Sequence, residues 1–525
     1  MRSFDIGHPL GVDAYQMGHF GMIPDGMENF QCAHVTLRKP LHWGDTRADN
    51  RLIFAGSLPY VLLELGQRLT SMGDVDEAVE FMSDFHAALT APHLRPYPFP
   101  KKMWERVVTE FGGRLPICVM AMPDGQAHYP GEPSMQIWTD VPGMGELVGW
   151  VESALLPYIW TSSAVSTRGR IRMQELIRTY QRALPSQSVD ELRMLAQYKF
   201  VDFGRRGGAA SQITGIAHLL NFLSTDTVDA AVAAVKFLNG GQKFGACSIV
   251  AAAHRTVTPW PKEMDSIDNM VEKFGSGMFS FVADSYGFSP GIRRLASKAK
   301  IVQVKGGFVV GRPDSGDPVQ CVLEGMQVFK EAFGFTTTET GLTLLNNSSI
   351  LQADGISDSK VFDQLFPALF AHGFCPTNLT LGMGEYNHRA VRSDTEAALK
   401  TALVGISETG SAEVSGYRPV MKDSDSLFKR SIPGPVAFHA GGKEINRRIR
   451  PISVEQLKAG EVGDYRVIFD GRPNPLPIRR PTFSESRTLA WESWLALPPV
   501  TGDTIDPRIR EAQREYLKRM AEAVA

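Results

Sequence analysis

The sequence predicts an α/β protein: an irregular β/α barrel with an additional α+β lobe built from the N- and C-terminal parts of the chain. Three observations carry this expectation. Short apolar runs recur from about residue 200 at the ~30-residue spacing of consecutive βα units. Each run is followed, not preceded, by polar residues, and a β/α barrel carries its functional groups at the C-terminal ends of its strands. The period is absent from the first 150 residues and from the stretch beyond about residue 390. The expected units are therefore 1–150 (the α+β lobe), 151–390 (the barrel) and 391–525 (a segment packing back on the first lobe).

The first unit mixes short strands and helices. RLIFAGSLPYVLLELGQRL reads as strand then helix, and GDVDEAVEFMSDFHAAL has a helical apolar period. Pro92, Pro96, Pro98 and Pro100 then break the chain. ICVMAMPDG and SMQIWTDVP read as antiparallel strands. LVGWVESALLPYIWTSSAV is the most apolar stretch, but Glu152 and Pro157 interrupt it. It reads as a buried helix, because a membrane span needs ~20 nearly charge-free residues.

In the barrel region the residues that follow the runs are Asp202, Asp226, His254, Asp284, Asp314, Asp354 and Gly384, separated by 24, 28, 30, 30, 40 and 30 residues. An open doubly wound sheet fits the spacing too, but it gathers its site at one switch point. Polar groups spread over so many units favour a barrel mouth. PVQCVLEGMQVFKEAFG and SKVFDQLFPALFAHG are the clearest intervening helices. IDPRIREAQREYLKRMAEAVA ends the chain as a charged amphipathic helix.

Composition narrows the function. With 43% hydrophobic and 21% charged residues the chain is ordinary globular protein. Lys plus Arg is 55 against 57 Asp plus Glu, a net charge of −2, which argues against a dedicated nucleic-acid or acidic-lipid binder. Cys32, Cys118, Cys247, Cys321 and Cys375 are odd in number and contain no CxxC pair, the pattern of reduced thiols. No apolar leader opens the sequence. A cytoplasmic chain with no membrane partner is expected.

A mouth carrying several carboxylates, Arg206, Arg312, His254 and glycine-containing turns suits a Mg²⁺-bound, multiply phosphorylated small molecule. Arginines and backbone N–H groups bind phosphate, and Mg²⁺ takes oxygen ligands while keeping waters. Each residue alone has a plainer reading. PDSG in isolation is a β-turn, a lone histidine is more often structural, and Phe203 is by default a core aromatic.

DAYQ, YKFVDFGRRG, STDTVDAA, CSIVAAAHRT, ADSYG, GRPDSGDP, LQADG and LGMGEYNHRAVRSD occur in the order seen in nicotinamide phosphoribosyltransferases, and the chain resembles that family from about Asp13 to Arg430. The resemblance implies a type II phosphoribosyltransferase that makes nicotinamide mononucleotide and pyrophosphate from nicotinamide and phosphoribosyl pyrophosphate. It implies a homodimer with shared sites, Mg²⁺ as cofactor and ATP as a coupled co-substrate through a phosphohistidine at His254. By motif, Arg206, His254 and Arg312 match pyrophosphate-binding positions, and Asp226 matches the carboxamide acceptor. Arg312 and Asp314 match ribose contacts, with Asp314 the candidate Mg²⁺ ligand. Asp284 joins the substrate-binding strand ends. Ala353, Asp354, Gly382, Gly384 and Arg392 match the nucleotide-binding turns and the phosphate cation beside them. Phe203 matches one face of a ring sandwich. Tyr15, in the same motif as Asp13, matches the other face from a second subunit, and Arg38 looks like a cation lent to the neighbour.

Three positions depart from the family pattern: Ala253 replaces a glutamate, Ala353 a glycine, and the glycine run is shortened to LGMGEY. The alternatives are a nicotinate phosphoribosyltransferase, which Asp226 disfavours by charge, and a non-catalytic binding protein on the same fold.

Overall fold

The computed structural model describes residues 7–41, 49–56, 68–84, 97–204, 208–384, 389–424, 429–441, 447–499 and 503–524. Two sheets organise it. The first is antiparallel and six-stranded, in the order Gly416–Pro419, Ala398–Ile406, Gln31–Thr36, Pro133–Thr139, Cys118–Ala121, Arg466–Asp470. Its central strand QCAHVT is buried along almost its whole length. The strands expected in ICVMAMPDG and SMQIWTDVP are neighbours here, with Cys118 opposite Trp138. Three N-terminal strands lie between C-terminal strands on both edges, so neither end of the chain makes the lobe alone.

The second sheet is parallel, in the order Phe200–Asp202, Leu379–Met383, Ser348–Gln352, Phe308–Arg312, Met278–Val282, Val250–Ala251. Two isolated parallel bridges join its edges: Asp202 with Thr225, and Ser224 with Cys247, only three residues before Val250. The sheet is thereby curled into a ring, and the chain enters it seven times. The seven polar positions of the sequence follow those seven passages. Period-two alternation sorts the residues. Phe279, Phe281, Val309, Ile350 and Leu381 are buried against the surrounding helices, while Ser280, Val310, Ser349, Leu351 and Thr380 face inward. With Ser280, Ser349 and Thr380 among the inward side chains, the ring is hollow rather than packed.

The helix Glu152–Ala183 runs for 32 residues between the two sheets. Its small residues let other chain come close: Thr167 Oγ1 accepts from Ile53 N at 2.8 Å, and Ser163 Oγ donates to Ala55 O at 2.9 Å. The helix predicted after Phe54 falls largely on residues outside those described. The C-terminal helix Pro507–Val524 contributes Ile509 to the core shared with the antiparallel sheet. No described helix is long and apolar enough to cross a membrane.

One buried ion pair fastens the lobe. Arg448 Nε donates to Glu132 Oε1 at 3.0 Å, with the two side chains 2% and 0% exposed. Arg448 also donates to the carbonyls of Ala440 and Ala127. Removing one partner of such a pair leaves an uncompensated buried charge, worth roughly 3–5 kcal/mol. Arg448→Met should lose stability on that scale in urea unfolding. Glu132→Leu combined with Arg448→Met should lose less than the single change. A single variant as stable as the double would show that Arg448 does not compensate Glu132.

Candidate functional site

The strand ends meet at one mouth. Asp202 is fully buried and structural: its Oδ2 accepts from Thr227 Oγ1 at 2.7 Å and Thr225 Oγ1 at 3.2 Å, and its Oδ1 accepts from Gly204 N at 3.0 Å. Asp226, by contrast, is exposed. It is not a helix cap, since the helix Val228–Ala233 takes Thr227 at that position. Its Oδ1 accepts a short hydrogen bond from Ser248 Oγ. Among the described residues its Oδ2 has no partner.

Asp284 ties three neighbouring groups together. Its Oδ1 lies 2.9 Å from His254 Nε2, and its Oδ2 accepts from Ser315 Oγ at 2.6 Å and Asp314 N at 3.2 Å. With Nε2 so engaged, His254 turns Nδ1 toward Asp314, whose Oδ2 is 3.8 Å away. The other Asp314 oxygen is 3.8 Å from Arg312 Nε. That Nε is buried and lacks a hydrogen-bond partner among the described residues, so Arg312 holds unused donor capacity at the mouth.

Phe203, Asp226, Ser248 and Arg312 border a cavity of about 390 Å³ that continues inside the ring past Ser280 and Ser349. Lys199 closes its far end, donating to Thr377 O at 2.7 Å, and burial pulls its ammonium down to about 8. Ala353, Asp354, Gly382 and Gly384 lie at the adjoining strand ends. Ala353 is outside the left-handed region, so its N–H is presented as a glycine's would be. Arg206 lies outside the described residues.

Asp13, Tyr15, Arg38 and Arg392 do not line this cavity. Tyr15 is 62% exposed, and Asp13 accepts from Ser153 Oγ at 2.9 Å. Arg38 and Arg392 belong to a separate cationic cluster on the antiparallel sheet. Burial and the charge of Arg392 lower the Arg38 guanidinium, against the pull of Glu396. Burial lowers Lys400 as well, with Glu152 opposing and Arg38, Lys422 and Arg392 adding to the depression. The carbonyl of Glu396, a non-glycine residue at φ 50, accepts from Arg38 Nε at 2.7 Å. These cations depress one another although Glu152 and Glu396 stand near them, and such a surface attracts anions.

The long helix holds the backbone that carries these groups. Arg172 donates to both oxygens of Asp358 at 2.8 and 3.2 Å, four residues beyond Asp354. One turn earlier, Arg168 pairs with Asp394 at 2.9 Å and donates to Arg389 O. Asp394 accepts from Val391 N, fixing the turn that begins with Arg392.

Mg²⁺ would find little protein here. Asp284 has both oxygens occupied, and among the described residues no group of three or more His, Cys, Asp or Glu could hold a metal. Asp314 keeps acceptor capacity beside Arg312 and His254, which fits an ion carried mainly by phosphate oxygens and water.

A sequence profile of the nicotinate phosphoribosyltransferase family matches residues 198–433, the whole ring. A nicotinamide phosphoribosyltransferase of Xanthomonas campestris pv. campestris (strain 8004) is 28% identical over 486 residues, covering 86% of this chain and 97% of that protein. Another, from Acinetobacter baylyi, is 25% identical over 484 residues, covering 82% and 88%. The chain is a type II phosphoribosyltransferase. The crystal structure of human nicotinic acid phosphoribosyltransferase shares the fold of this phosphoribosyltransferase, with a TM-score of 0.53 at 16% identity over 96% of this chain and 99% of that one. The nicotinate-nucleotide pyrophosphorylase of Pyrococcus furiosus gives 0.52 at 14% identity over 94% and 99%.

Sequence reasoning missed Ser248, Lys400, Lys422, Arg168 and Arg172 in this phosphoribosyltransferase. Only the arginines left a signal, standing one turn apart in an otherwise small-residue helix segment. The cationic cluster makes a pH prediction. A bound phosphate favours the charged form of Lys400, so binding takes up a proton. Affinity for inorganic pyrophosphate should fall as pH rises through the lowered Lys400 value, below the ~10.4 of an ordinary lysine. Calorimetry across alkaline pH should show that fall flattened in Lys400→Met. An identical profile in the variant would assign the titration elsewhere.

Proposed function

We propose that the protein transfers ribose 5-phosphate from phosphoribosyl pyrophosphate to the ring nitrogen of nicotinamide, forming nicotinamide mononucleotide and pyrophosphate. The observation that carries this is the Asp226 carboxylate. It stands at the cavity mouth beside Phe203, with one oxygen held by Ser248 and the other open. An open carboxylate oxygen accepts the NH₂ of a carboxamide. Both relatives reported above are named nicotinamide phosphoribosyltransferases, which supports the same reading.

The chemistry needs positioning and charge more than a base. Loss of pyrophosphate leaves oxocarbenium-like charge on ribose C1, and the ring nitrogen of nicotinamide is already nucleophilic. Arg312 meets the leaving anion with its unused donor, and Asp314 faces the ribose hydroxyls. Mg²⁺, held by Asp314 and substrate phosphates, would supply charge neutralisation of the pyrophosphate. His254 presents Nδ1 while Asp284 holds Nε2 in its protonated tautomer, the arrangement needed to accept a phosphoryl group from ATP at one ring nitrogen. The protein acts as a homodimer in which Tyr15, Arg38, Arg392 and Lys400 of one subunit complete the mouth of the other. The exposure of Tyr15 and Arg392, and the separation of all four from the cavity of their own chain, support this.

Supplying phosphoribosyl pyrophosphate with nicotinamide or nicotinate, and measuring mononucleotide, tests the activity. Asp226 sets the preference. At ~4 Å two like charges cost about 1 kcal/mol in water and about 4 at an effective dielectric of ~20. Asp226→Asn should therefore reduce the nicotinamide-to-nicotinate ratio of kcat/KM by at least about tenfold; an unchanged ratio in a folded variant would remove Asp226 from base selection. His254→Ala should abolish ATP hydrolysis and leave slow mononucleotide synthesis. Retained hydrolysis would exclude the phosphohistidine. Mixing Tyr15→Ala with Phe203→Ala subunits should restore some sites with both rings intact. No recovery, with exchange of subunits demonstrated, would refute the shared site.

A further inference from the structure

Gly382 lies in the strand Leu379–Met383, at the rim of the ring. Its φ is outside the left-handed region, so the backbone there would accept any L-residue and conformation does not explain the glycine. Space does. A Cβ built on Gly382 would stand 2.3 Å from Cε2 and 2.5 Å from Cζ of Phe203, and 2.8 Å from the Cβ of Ala353. Carbon atoms in contact sit about 3.5–4.0 Å apart. The Phe203 ring therefore rests on a bare α-carbon.

The ring has little room to retreat. On its C-terminal side Gly204 is at φ +54, its N–H bound to Asp202 Oδ1, and the Thr227 hydroxyl fills the space where its side chain would be. Ser211 Oγ donates to Gly204 O at 2.8 Å. The carbonyl and amide of Asp202 are both taken by the neighbouring passage, from Asp226 N and to Ser224 O. Backbone and platform together fix the ring against the cavity that Asp226 borders.

We propose that Gly382 is a positioning residue for the acceptor ring, acting through Phe203, and not chiefly a phosphate-cradling glycine. Ala353 belongs to the same device, because its methyl takes up the remaining space beside Gly382. The inference rests on the function proposed above, in which Phe203 stacks on nicotinamide. It goes further by placing the control of the base site on the strand that the resemblance reserves for phosphate.

The test uses the full-length chain and three variants: Gly382→Ala, Phe203→Ala and the double. Misplacing a positioning group by ~1 Å can cost as much as ~100-fold. Gly382→Ala should raise the KM for nicotinamide about tenfold or more and move the KM for phosphoribosyl pyrophosphate less than about threefold. In the Phe203→Ala background the same methyl should change either constant by no more than about twofold, because the two closest contacts it displaces are gone and only the Ala353 methyl remains, with space to yield where the ring stood. An equal effect in both backgrounds overturns the proposal. So does a rise confined to the phosphoribosyl pyrophosphate constant. Circular dichroism reports folding. If Gly382→Ala alone does not fold, the double variant decides: it should fold and match Phe203→Ala, and its failure to fold overturns the steric account. A wild-type protein that makes no mononucleotide from nicotinamide would sink the proposed function and this inference together. An active wild type with an unaltered Gly382→Ala would sink the inference alone.

Discussion

Four backbone hydrogen bonds close the ring. Asp202 N donates to Ser224 O and Asp226 N to Asp202 O, while Thr225 N donates to Cys247 O and Cys247 N to Leu223 O. These residues belong to passages too short and irregular to form long ladders. Without them the parallel sheet would be an open six-stranded layer, and Asp226 would be remote from Arg312 on the far side. Closure brings Asp202, Asp226, His254, Asp284, Asp314 and Asp354 to one rim. The Asp202 side chain reinforces the same joint by accepting from Thr225 and Thr227.

Much of this was legible in the sequence because barrel chemistry is periodic. Strand ends recurring about every 30 residues place Asp226, His254, Asp284 and Asp314 on one face without any knowledge of the fold's closure. What the period cannot reveal is partnership. Ser248 lies in CSIVAAAHRT, where nothing marks it out; it matters because it takes one Asp226 oxygen and leaves the other. Lys400 lies in a strand beyond the last barrel unit, where its pairing with the strand Gln31–Thr36 brings it beside Arg38. Sequence separation hides a contact of that kind completely. Gly382 was legible as important and illegible as to why, since a glycine next to Met383-Gly384 reads as phosphate backbone until the ring of Phe203 is seen above it.

The two halves of the machinery are held by different physics. At the mouth, groups are fixed by hydrogen bonds among carboxylates and backbone amides, with Asp284 at the centre and no oxygen to spare. On the lobe, cations are crowded against one another, with Glu152 and Glu396 offsetting them only in part. The helix Glu152–Ala183 reaches both: Arg172 grips the turn after Ala353 and Asp354, and Arg168 grips the segment leading into Arg392. Motion of either segment relative to the helix must first break a charge-assisted pair.

The interleaved lobe has a consequence for the order in which the chain can fold. Gln31 pairs with Val404 across 373 positions, and the strand that carries it also needs Pro133–Thr139 on its other edge. Such distant pairings make folding slow. At translation speeds of ~5–20 residues per second, the strand half-paired with Pro133–Thr139 waits roughly 13–53 seconds for its second neighbour to be made. During that wait all seven passages of the ring are made, while Trp491, Trp494 and Leu497 of its core come later still. The second edge of QCAHVT meanwhile stays unpaired, a row of open backbone groups of the kind that pairs with another chain.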